Sequence, residues 1–348
     1  MEPLAAVREL AGELRAMLPP DPQRHPRPPP PPRPPPPPPR PPPGAEGPPF
    51  WARLGQGAQA VSREATKLSL AFAKPPLPAA QDCQQLCDGV RTAVLDVVTA
   101  YSLLSEDQGA TLRKMARDTT VDVVEGTAQL LEVIGSAPLA SGSQKQLVST
   151  GTVWEACEQV SSLPRDNRAA ALSVLASNLA VVKDALEEME QAQAEDGDPF
   201  GHVSEDEEPG GWRGSGDANW SAADRRLLAP CVGLMKASKA CLKKVRGAVE
   251  TDGRAQDPEQ VAQLDDIVDA SKEISPSVDE LALSMYPPVN QMAVRLNAAK
   301  VSSVLKKVLE VTKASHVCPQ AEDNWIQFLS SAVDHNMNKI KDFTQGAL

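Results

Sequence analysis

Residues 51–72, WARLGQGAQAVSREATKLSLAF, carry a helical pattern from which the rest of the chain can be interpreted. Apolar residues recur there at alternating steps of three and four, and this spacing puts them on one stripe of an α-helix. Polar residues such as Arg53, Ser62 and Lys67 fall on the other faces. The members of the apolar stripe are Trp51, Leu54, Ala58, Val61, Ala65, Leu68 and Phe72.

Such a helix becomes stable when other helices cover its stripe, because each large apolar side chain contributes roughly 1.5–3 kcal/mol when it is fully buried. A coiled-coil dimer is one way to cover the stripe. However, the pattern is short for a coiled coil, and the chain contains many similar stripes. We therefore interpret residues 51–72 as the inner face of an intramolecular helical bundle.

On both sides of this helix the chain repeats the helical pattern and gives no signal for a β-strand. For example, residues 144–163 form a pattern around Leu147, Val153, Trp154 and Cys157. The apolar fraction is 41% with only 3% aromatic residues, and Ala, Leu and Val dominate it, as is typical of close-packed helices. We predict an all-α protein of two packed helical bundles in the style of vinculin and catenin, joined by a disordered acidic linker. The predicted segments are a short helix of the first bundle at 1–18, a disordered proline-rich insert at 19–49, an N-terminal bundle at 50–194, an acidic linker at 195–219 and a C-terminal bundle at 220–348.

Proline dominates residues 19–49, and single arginines interrupt the runs. Because proline fixes φ and lacks an N–H group, this tract is predicted to be polyproline II or disordered. Arg33, Pro36 and Pro39 have the spacing of a ligand for Src-homology-3 domains. A semi-rigid linker is the alternative, since proline runs of this length contain such spacings by chance.

Acidic residues and glycines dominate residues 195–219, which contain few apolar anchors. This composition is typical of a disordered linker. Ser204 is followed directly by Glu205-Asp206-Glu207, a pattern that acidophilic kinases recognise, so Ser204 is a candidate phosphorylation site. Solvated charge without any modification is the alternative.

Composition and motifs argue against several classes of function. The net charge of −11 disfavours direct DNA binding, which depends on accumulated Lys and Arg. The N-terminus lacks the basic and apolar regions of a signal peptide, and no run of 18 apolar residues predicts a membrane span. We find no phosphate-binding glycine loop, metalloprotease motif or nucleophile elbow, and therefore expect no catalytic residues and no cofactor.

The six cysteines are scattered through helical patterns without CxxC spacing. Cys83 and Cys87 are one helical turn apart and could share a metal ion, but no further ligands accompany them. We interpret all six as reduced, mostly buried thiols of a cytosolic or nuclear protein, and we expect no metal site.

One basic row stands out in this acidic chain. Lys236, Lys239, Lys243 and Arg246 lie on the face of a predicted helix opposite its apolar stripe. The row is a candidate surface for an acidic partner. Alternatively, it faces water or the acidic helix around residues 265–273, where surface ion pairs contribute only about 0–1 kcal/mol.

Seven runs of unusual sequence are spread over about 51–343. They are VSREATKL from Val61, DQGATLRK from Asp107, RDNRAAAL from Arg165, ASKACLKK from Ala237, QLDDIVD from Gln263, EISPSVD from Glu273 and VLEVTKASH from Val308. Together they resemble the vertebrate cyclin-D-interacting, Id-like helix-loop-helix family. The proline-rich tract and the acidic linker lie outside this resemblance.

The resemblance implies a regulator without catalytic activity that resides in the cytoplasm and the nucleus. Members of that family bind D-type cyclins, lower phosphorylation of the retinoblastoma protein by cyclin-dependent kinases, and so restrain cell-cycle entry. They are also described as sequestering basic helix-loop-helix transcription factors and as binding a Grb-family adaptor. If a helix-loop-helix lies within 220–274, the residues at 217–224 before it are not basic, so a mixed dimer would lack half of its phosphate contacts.

Long amphipathic helices interrupted by prolines suit a second class of protein equally well. This alternative is a structural adaptor of the vinculin, catenin and talin kind. The helices also look too long and too numerous for a bare dimerisation module, so we expect partners to bind on bundle surfaces.

Overall fold

The computed structural model describes residues 3–19, 49–136, 143–196, 220–319 and 324–345. Within these ranges the regular structure is helical and no β-strand occurs, which confirms the predicted all-α class. The α-helices are α1 (Pro3–Ala16), α2 (Phe50–Ala71), α3 (Ala80–Ser102), α4 (Ala110–Ser136), α5 (Ser143–Ser162), α6 (Asn167–Asp196), α7 (Ala222–Asp252), α8 (Pro258–Ser271), α9 (Ile274–Ser284), α10 (Gln291–Lys313) and α11 (Asn324–Thr344), and a short 3₁₀ helix spans Glu106–Gln108.

Helix α2 is the helix predicted from residues 51–72, and its apolar stripe is core. From Leu54 to Phe72 the predicted positions of the stripe are buried, and α3 and α5 pack against this helix. Trp51, at the start of the stripe, is partly exposed and stacks under the guanidinium of Arg165, whose carbon lies 4.7 Å from the ring centre. The intramolecular interpretation of the stripe is therefore confirmed.

The first compact unit comprises Met1–Gln108 and Leu112–Arg165 and contains α1, α2, α3, α5 and nearly all of α4. Helix α1 contributes Val7, Leu10 and Leu14 to the same core as α2. Arg15 of α1 forms ion pairs with Glu125 (2.8 Å) and Glu132 of α4. These contacts fix the first helix to the bundle at both its apolar and its polar side.

The second compact unit comprises Gly109–Thr111 and Asp166–Leu348, so it contains α6. The sequence predicts this helix at the end of an N-terminal bundle spanning 50–194, whereas its packing groups it with the second unit. Leu175, Val182, Leu186 and Met189 of α6 are buried in one core with α7, α8, α9, α10 and α11. The acidic composition of 195–219 suggested the boundary, but the packing divides the chain at the turn between α5 and α6.

Two predictions concern segments that lie mostly outside the described residues. These are the disorder of 19–49, of which 20–48 are not described, and the disorder of 195–219, of which 197–219 are not described. Both remain predictions. In the chain order, the acidic segment connects α6 to α7, two helices of the second unit.

Side-chain caps fix the starts of several helices. Asp166 accepts a hydrogen bond from the Ala169 N–H at 2.7 Å and so caps α6. Ser221 and Asp224 form a reciprocal capping box at the start of α7. Asp257 caps α8 ahead of Pro258, which occupies the first helical position.

Asp265 of α8 caps the start of α4 from a distance along the chain. Its carboxylate accepts the Ala110 N–H at 2.7 Å, the Thr111 N–H at 3.0 Å and the Thr111 hydroxyl at 2.6 Å. The Asn167 side-chain amide donates to the same carboxylate at 2.9 Å. These contacts lie within the second unit and satisfy N–H groups that the first turn of a helix leaves unpaired.

Length and composition alone would let the stretch Asn167–Ala194 of α6 cross a membrane. The search for an apolar run in the sequence did not predict this. One such helix is weak evidence for a membrane span, because core helices of soluble proteins have the same composition. In this structure α6 supplies five fully or nearly fully buried side chains to the core of the second unit.

Candidate functional site

The predicted basic row lies on α7. Its four residues differ in exposure and in their ion pairs. Lys236 is exposed and forms an ion pair with Glu190 of α6 at 2.8 Å. Lys239 is half-buried and Lys243 is exposed, and neither forms an ion pair within the described residues. The Nε of Arg246 is buried and has no hydrogen-bond partner there.

The basic character of α7 extends beyond the four predicted residues. Between Asp224 and Glu250 the helix carries seven Lys or Arg residues and no acidic residue. With Arg225, Arg226 and Lys244 included, the basic row runs from Arg225 to Arg246 and is about 30 Å long at about 1.5 Å per residue. The row predicted from the sequence did not include these three residues, although the absence of any carboxylate from this stretch was a signal for them.

The packing of α7 explains why its basic residues lie outside. Its opposite side is fully buried over five turns, for example at Leu234, Cys241 and Val245. That side fills the core of the second unit, and five basic residues of α7 are left exposed, of which Lys236 pairs with α6. They are Arg225, Arg226, Lys236, Lys243 and Lys244. The result is a rigid helix that presents positive charge in a protein of net charge −11.

The six cysteine side chains lie in the apolar cores of the two units. All six are buried and unbridged. Burial raises the pKa of the thiols of Cys87, Cys157, Cys231 and Cys241 to about 12, so they are protonated at neutral pH. No group of three His, Cys, Asp or Glu side chains among the described residues could hold a metal ion.

Both ring nitrogens of His316 make contacts with other parts of the second unit. The Nε2 of His316 accepts the Arg254 N–H at 3.0 Å, and its Nδ1 lies 2.7 Å from the side-chain oxygen of Gln263. Burial lowers its pKa, so the ring is neutral near pH 7. It holds the loop after α7 to the end of α10 and is not poised to transfer a proton.

An open groove of about 520 Å³ lies between the end of α2 and the start of α3. Its polar lining includes Glu64 and Lys67, which form an exposed ion pair at 2.7 Å, and Asp82. No histidine, cysteine, serine or threonine lines it. Its ionisable groups are the carboxylates of Glu64 and Asp82 and the amine of Lys67.

Several predicted site residues lie outside the described residues. They are Arg33, Pro36 and Pro39 of the proline-rich motif and the candidate phosphorylation site Ser204. The structure therefore leaves those two sites as predictions from the sequence.

Fold and surface together define a class of protein: two helical bundles with closed cores, whose most distinctive functional feature within the described ranges is a charged outer helix face. A surface of this kind is a candidate for contact with a partner of opposite charge. Comparison with known proteins agrees with this class.

Models of the Grap2 and cyclin-D-interacting family match residues 53–195 with the N-terminal domain and 203–310 with the C-terminal domain. The chain is 57% identical to the Cyclin-D1-binding protein 1 homolog of Xenopus laevis over 348 residues, which cover all of both chains. It is 50% identical to the homolog of Danio rerio over 84% of this chain and 85% of the relative. It is also 50% identical to human Cyclin-D1-binding protein 1 over 86% of this chain and 85% of the relative. The chain belongs to the Grap2 and cyclin-D-interacting family, which confirms the resemblance found in the sequence.

The family models and the packing divide the chain at different places. The boundary between the two family models falls near residues 195–203, at the acidic segment. The main boundary between the compact units falls between Arg165 and Asp166 in the chain. Helix α6 is thus the last helix of the N-terminal sequence domain and a core helix of the second structural unit.

Proposed function

We propose that this chain binds D-type cyclins and, without catalysing a reaction itself, lowers phosphorylation of the retinoblastoma protein by cyclin-D-dependent kinases. It would thereby restrain entry into the cell cycle. The observation that carries the proposal is its similarity, over most or all of its length, to proteins named for binding cyclin D1.

The basic row of α7 supports a role in this binding. Single-sign surfaces steer partners of opposite charge and fix their orientation. The row is rigid, about 30 Å long by the helical rise, and contains no carboxylate of its own. An acidic region of the cyclin is the complement that such a surface would select.

Basic helix-loop-helix transcription factors and a Grb-family adaptor are further proposed partners. Residues 220–274 contain α7 and α8, whose apolar faces are buried inside the second unit at residues such as Leu242 and Ile267. A transcription factor would therefore bind an outer face of these helices, because exchange of the inner faces would require the bundle to open.

Three further proposals rest on the sequence. Arg33, Pro36 and Pro39 would bind Src-homology-3 domains, and Ser204 would be phosphorylated. The protein would act in the cytoplasm and the nucleus.

The test is capture of a purified D-type cyclin by the whole chain and by the fragments 1–165 and 166–348. These fragments separate the compact units except for Gly109–Thr111, which stays with the first fragment. We expect capture by the whole chain and by 166–348. The double variant Lys239→Glu, Lys243→Glu should bind about tenfold more weakly, because it reverses two charges in the centre of the row.

The control is Lys74→Glu, Lys145→Glu, which makes the same charge change at exposed lysines of the first unit. It should bind the cyclin as the unchanged protein does. A kinase assay completes the test, in which added protein should reduce phosphorylation of the retinoblastoma protein. Absence of cyclin capture together with co-sedimentation with actin filaments would favour the structural-adaptor alternative.

A further inference from the structure

Helices α2 and α5 are held together by polar side chains that fix their register. The Gln146 amide donates to the Ser69 carbonyl at 2.6 Å, and the Thr150 hydroxyl lies 2.9 Å from the Ser69 hydroxyl. The indole N–H of Trp154 donates to the Thr66 hydroxyl at 2.9 Å. Since higher numbers on α5 meet lower numbers on α2, the two helices run antiparallel.

This register brings large apolar side chains to one outer side of the pair. Leu70 lies one turn after Thr66 on α2, and Leu147 lies two turns before Trp154 on α5, so all four residues share a side. The exposed fractions are 71% for Leu70, 63% for Leu147 and 46% for Trp154. Val148, next to Leu147, is 66% exposed. We call this surface, made by Leu70, Leu147, Val148 and Trp154, the α2–α5 face.

The α2–α5 face differs from ordinary scattered surface leucines. Leu70, Leu147 and Trp154 share one side of the helix pair, and the tryptophan is held in place by a hydrogen bond while it is 46% exposed. Clustered exposed apolar side chains on a folded protein mark interaction sites, and a fixed aromatic side chain is the usual anchor of such sites.

The two edges of the face carry opposite charges. On the α2 edge, Arg63 and Lys67 are exposed and lie in the same row as Leu70. On the α5 edge, Glu155 and Glu158 are exposed after Trp154. Lys67 also pairs with Glu64, which lies on the side of α2 toward the open groove.

We infer that the α2–α5 face is a docking surface for one amphipathic helix of a partner protein. That helix carries acidic residues along the edge that meets α2 and basic residues along the edge that meets α5. Two antiparallel helices form a straight channel between their ridges, and a third helix packs into such a channel with its apolar residues at i, i+3, i+4 and i+7. The inference is independent of cyclin binding.

The test uses the full chain and three labelled synthetic helices of about 20 residues, long enough to be helical. All three peptides carry the same leucine stripe and differ in the residues that flank it. The first has glutamates on one edge and lysines on the other, the second has glutamates on both edges, and the third has lysines on both edges. Fluorescence anisotropy measures binding. We expect the peptide with opposite edges to bind about tenfold more tightly than the other two.

Charge reversal provides the decisive comparison. In the variant Arg63→Glu, Lys67→Glu both edges of the face are acidic, so the peptide with lysines on both edges should become the tightest of the three. Equal binding of all three peptides to the unchanged protein, or an unchanged order in this variant, would overturn the proposal.

Apolar contact is tested by Leu147→Asp, which should weaken binding of the best peptide at least tenfold. The matched control is Leu283→Asp in the second unit, where Leu283 is also strongly exposed, and it should leave binding unchanged. Sedimentation and vesicle binding identify other occupants. Self-association, or binding to anionic phospholipid vesicles, that Leu147→Asp abolishes would assign the face to a second copy or to a membrane and would overturn the proposal.

Discussion

Leu68 and Leu70 are two positions apart on α2 and lie in opposite environments. Leu68 is fully buried in the core of the first unit, whereas Leu70 is mostly exposed on the α2–α5 face. The pair therefore separates the contribution of core packing from that of a surface, with the same residue type on the same helix.

Leu68→Asp should destabilise the first unit by about 3–5 kcal/mol, because it removes packed methyl groups and buries a polar group without partners. Thermal unfolding followed by circular dichroism measures the effect. Leu70→Asp is the matched control, and its melting temperature should remain within a few degrees of that of the unchanged protein. Similar melting of both variants would contradict the assignment of the stripe to the core.

The buried thiols predict a loss of stability at alkaline pH. In the unfolded chain a cysteine has a pKa of about 8.5, whereas burial raises the pKa of Cys241 to about 12. Between these values the folded protein binds more protons than the unfolded chain does. The free energy of unfolding should therefore be at its full value below about pH 8.5 and fall above it, by up to about 1.4 kcal/mol per pH unit for each such thiol.

Urea unfolding at several pH values between about 8 and 11 measures this slope. Cys241→Ala is the informative variant, since alanine keeps an apolar group at the site and cannot ionise. It should lose less stability between neutral and alkaline pH than the unchanged protein does. The same slope in both proteins would show that other groups cause the alkaline loss.

At the scale of single helices, the start of α4 depends on Asp265 of α8. Asp265→Ala removes an acceptor for two backbone N–H groups and one hydroxyl, and it leaves the Asn167 amide with one partner fewer. We expect a loss of about 2–3 kcal/mol in the free energy of unfolding, because hydrogen bonds to a charged group are the strong ones. Amide exchange should become faster at Ala110 and Thr111.

Asp266→Ala is the control for this cap, since Asp266 is the exposed neighbour on the same helix. It should change stability by less than about 0.5 kcal/mol. An equal effect of the two substitutions would mean that the cap adds nothing beyond the charge of α8.

The helices differ in how well the sequence could predict which of their faces are buried. The stripe of α2 was predictable because, within residues 51–72, the large apolar residues other than Leu70 occupy one face. Helix α5 has apolar residues on several of its own faces. Periodicity therefore could not predict that Val153 and Cys157 are buried while Leu147 and Trp154 are exposed. The polar contacts at Ser69 that orient α5 join residues about 80 positions apart, and no local pattern reveals them.

The same reasoning explains why α6 packs with the second unit although the sequence places it before the acidic segment. A helical stripe shows which face of a helix is buried but not which other helices bury it. The acidic segment after α6 suggested a boundary between bundles, and the two family models divide the chain near the same place. Packing instead follows the apolar contacts of α6 with α7, α8 and α9, and these contacts are long-range. The basic row was largely predictable, because its charge is visible in the sequence itself.

At the scale of the whole molecule, the placement of α6 predicts how a cut chain behaves. A cut within 205–212 leaves one piece with α1–α6 and another with α7–α11. In the structure α6 packs its buried side chains against the second piece, and Glu190 forms an ion pair with Lys236 across the cut. Arg168 also donates to the Val249 and Glu250 carbonyls at 3.3 and 2.6 Å. These contacts do not require a continuous chain.

We therefore expect the two pieces to remain together after a specific protease site is inserted within 205–212 and cut. Gel filtration under native conditions should give one peak containing both pieces, and denaturing urea should separate them. The control adds Leu186→Asp, which places a carboxylate in the core formed by α6 and should release the pieces after cutting, because breaking the apolar layer costs about 3–5 kcal/mol. Separation of the pieces without this substitution would mean that the acidic segment does join two independent bundles, with α6 in the first.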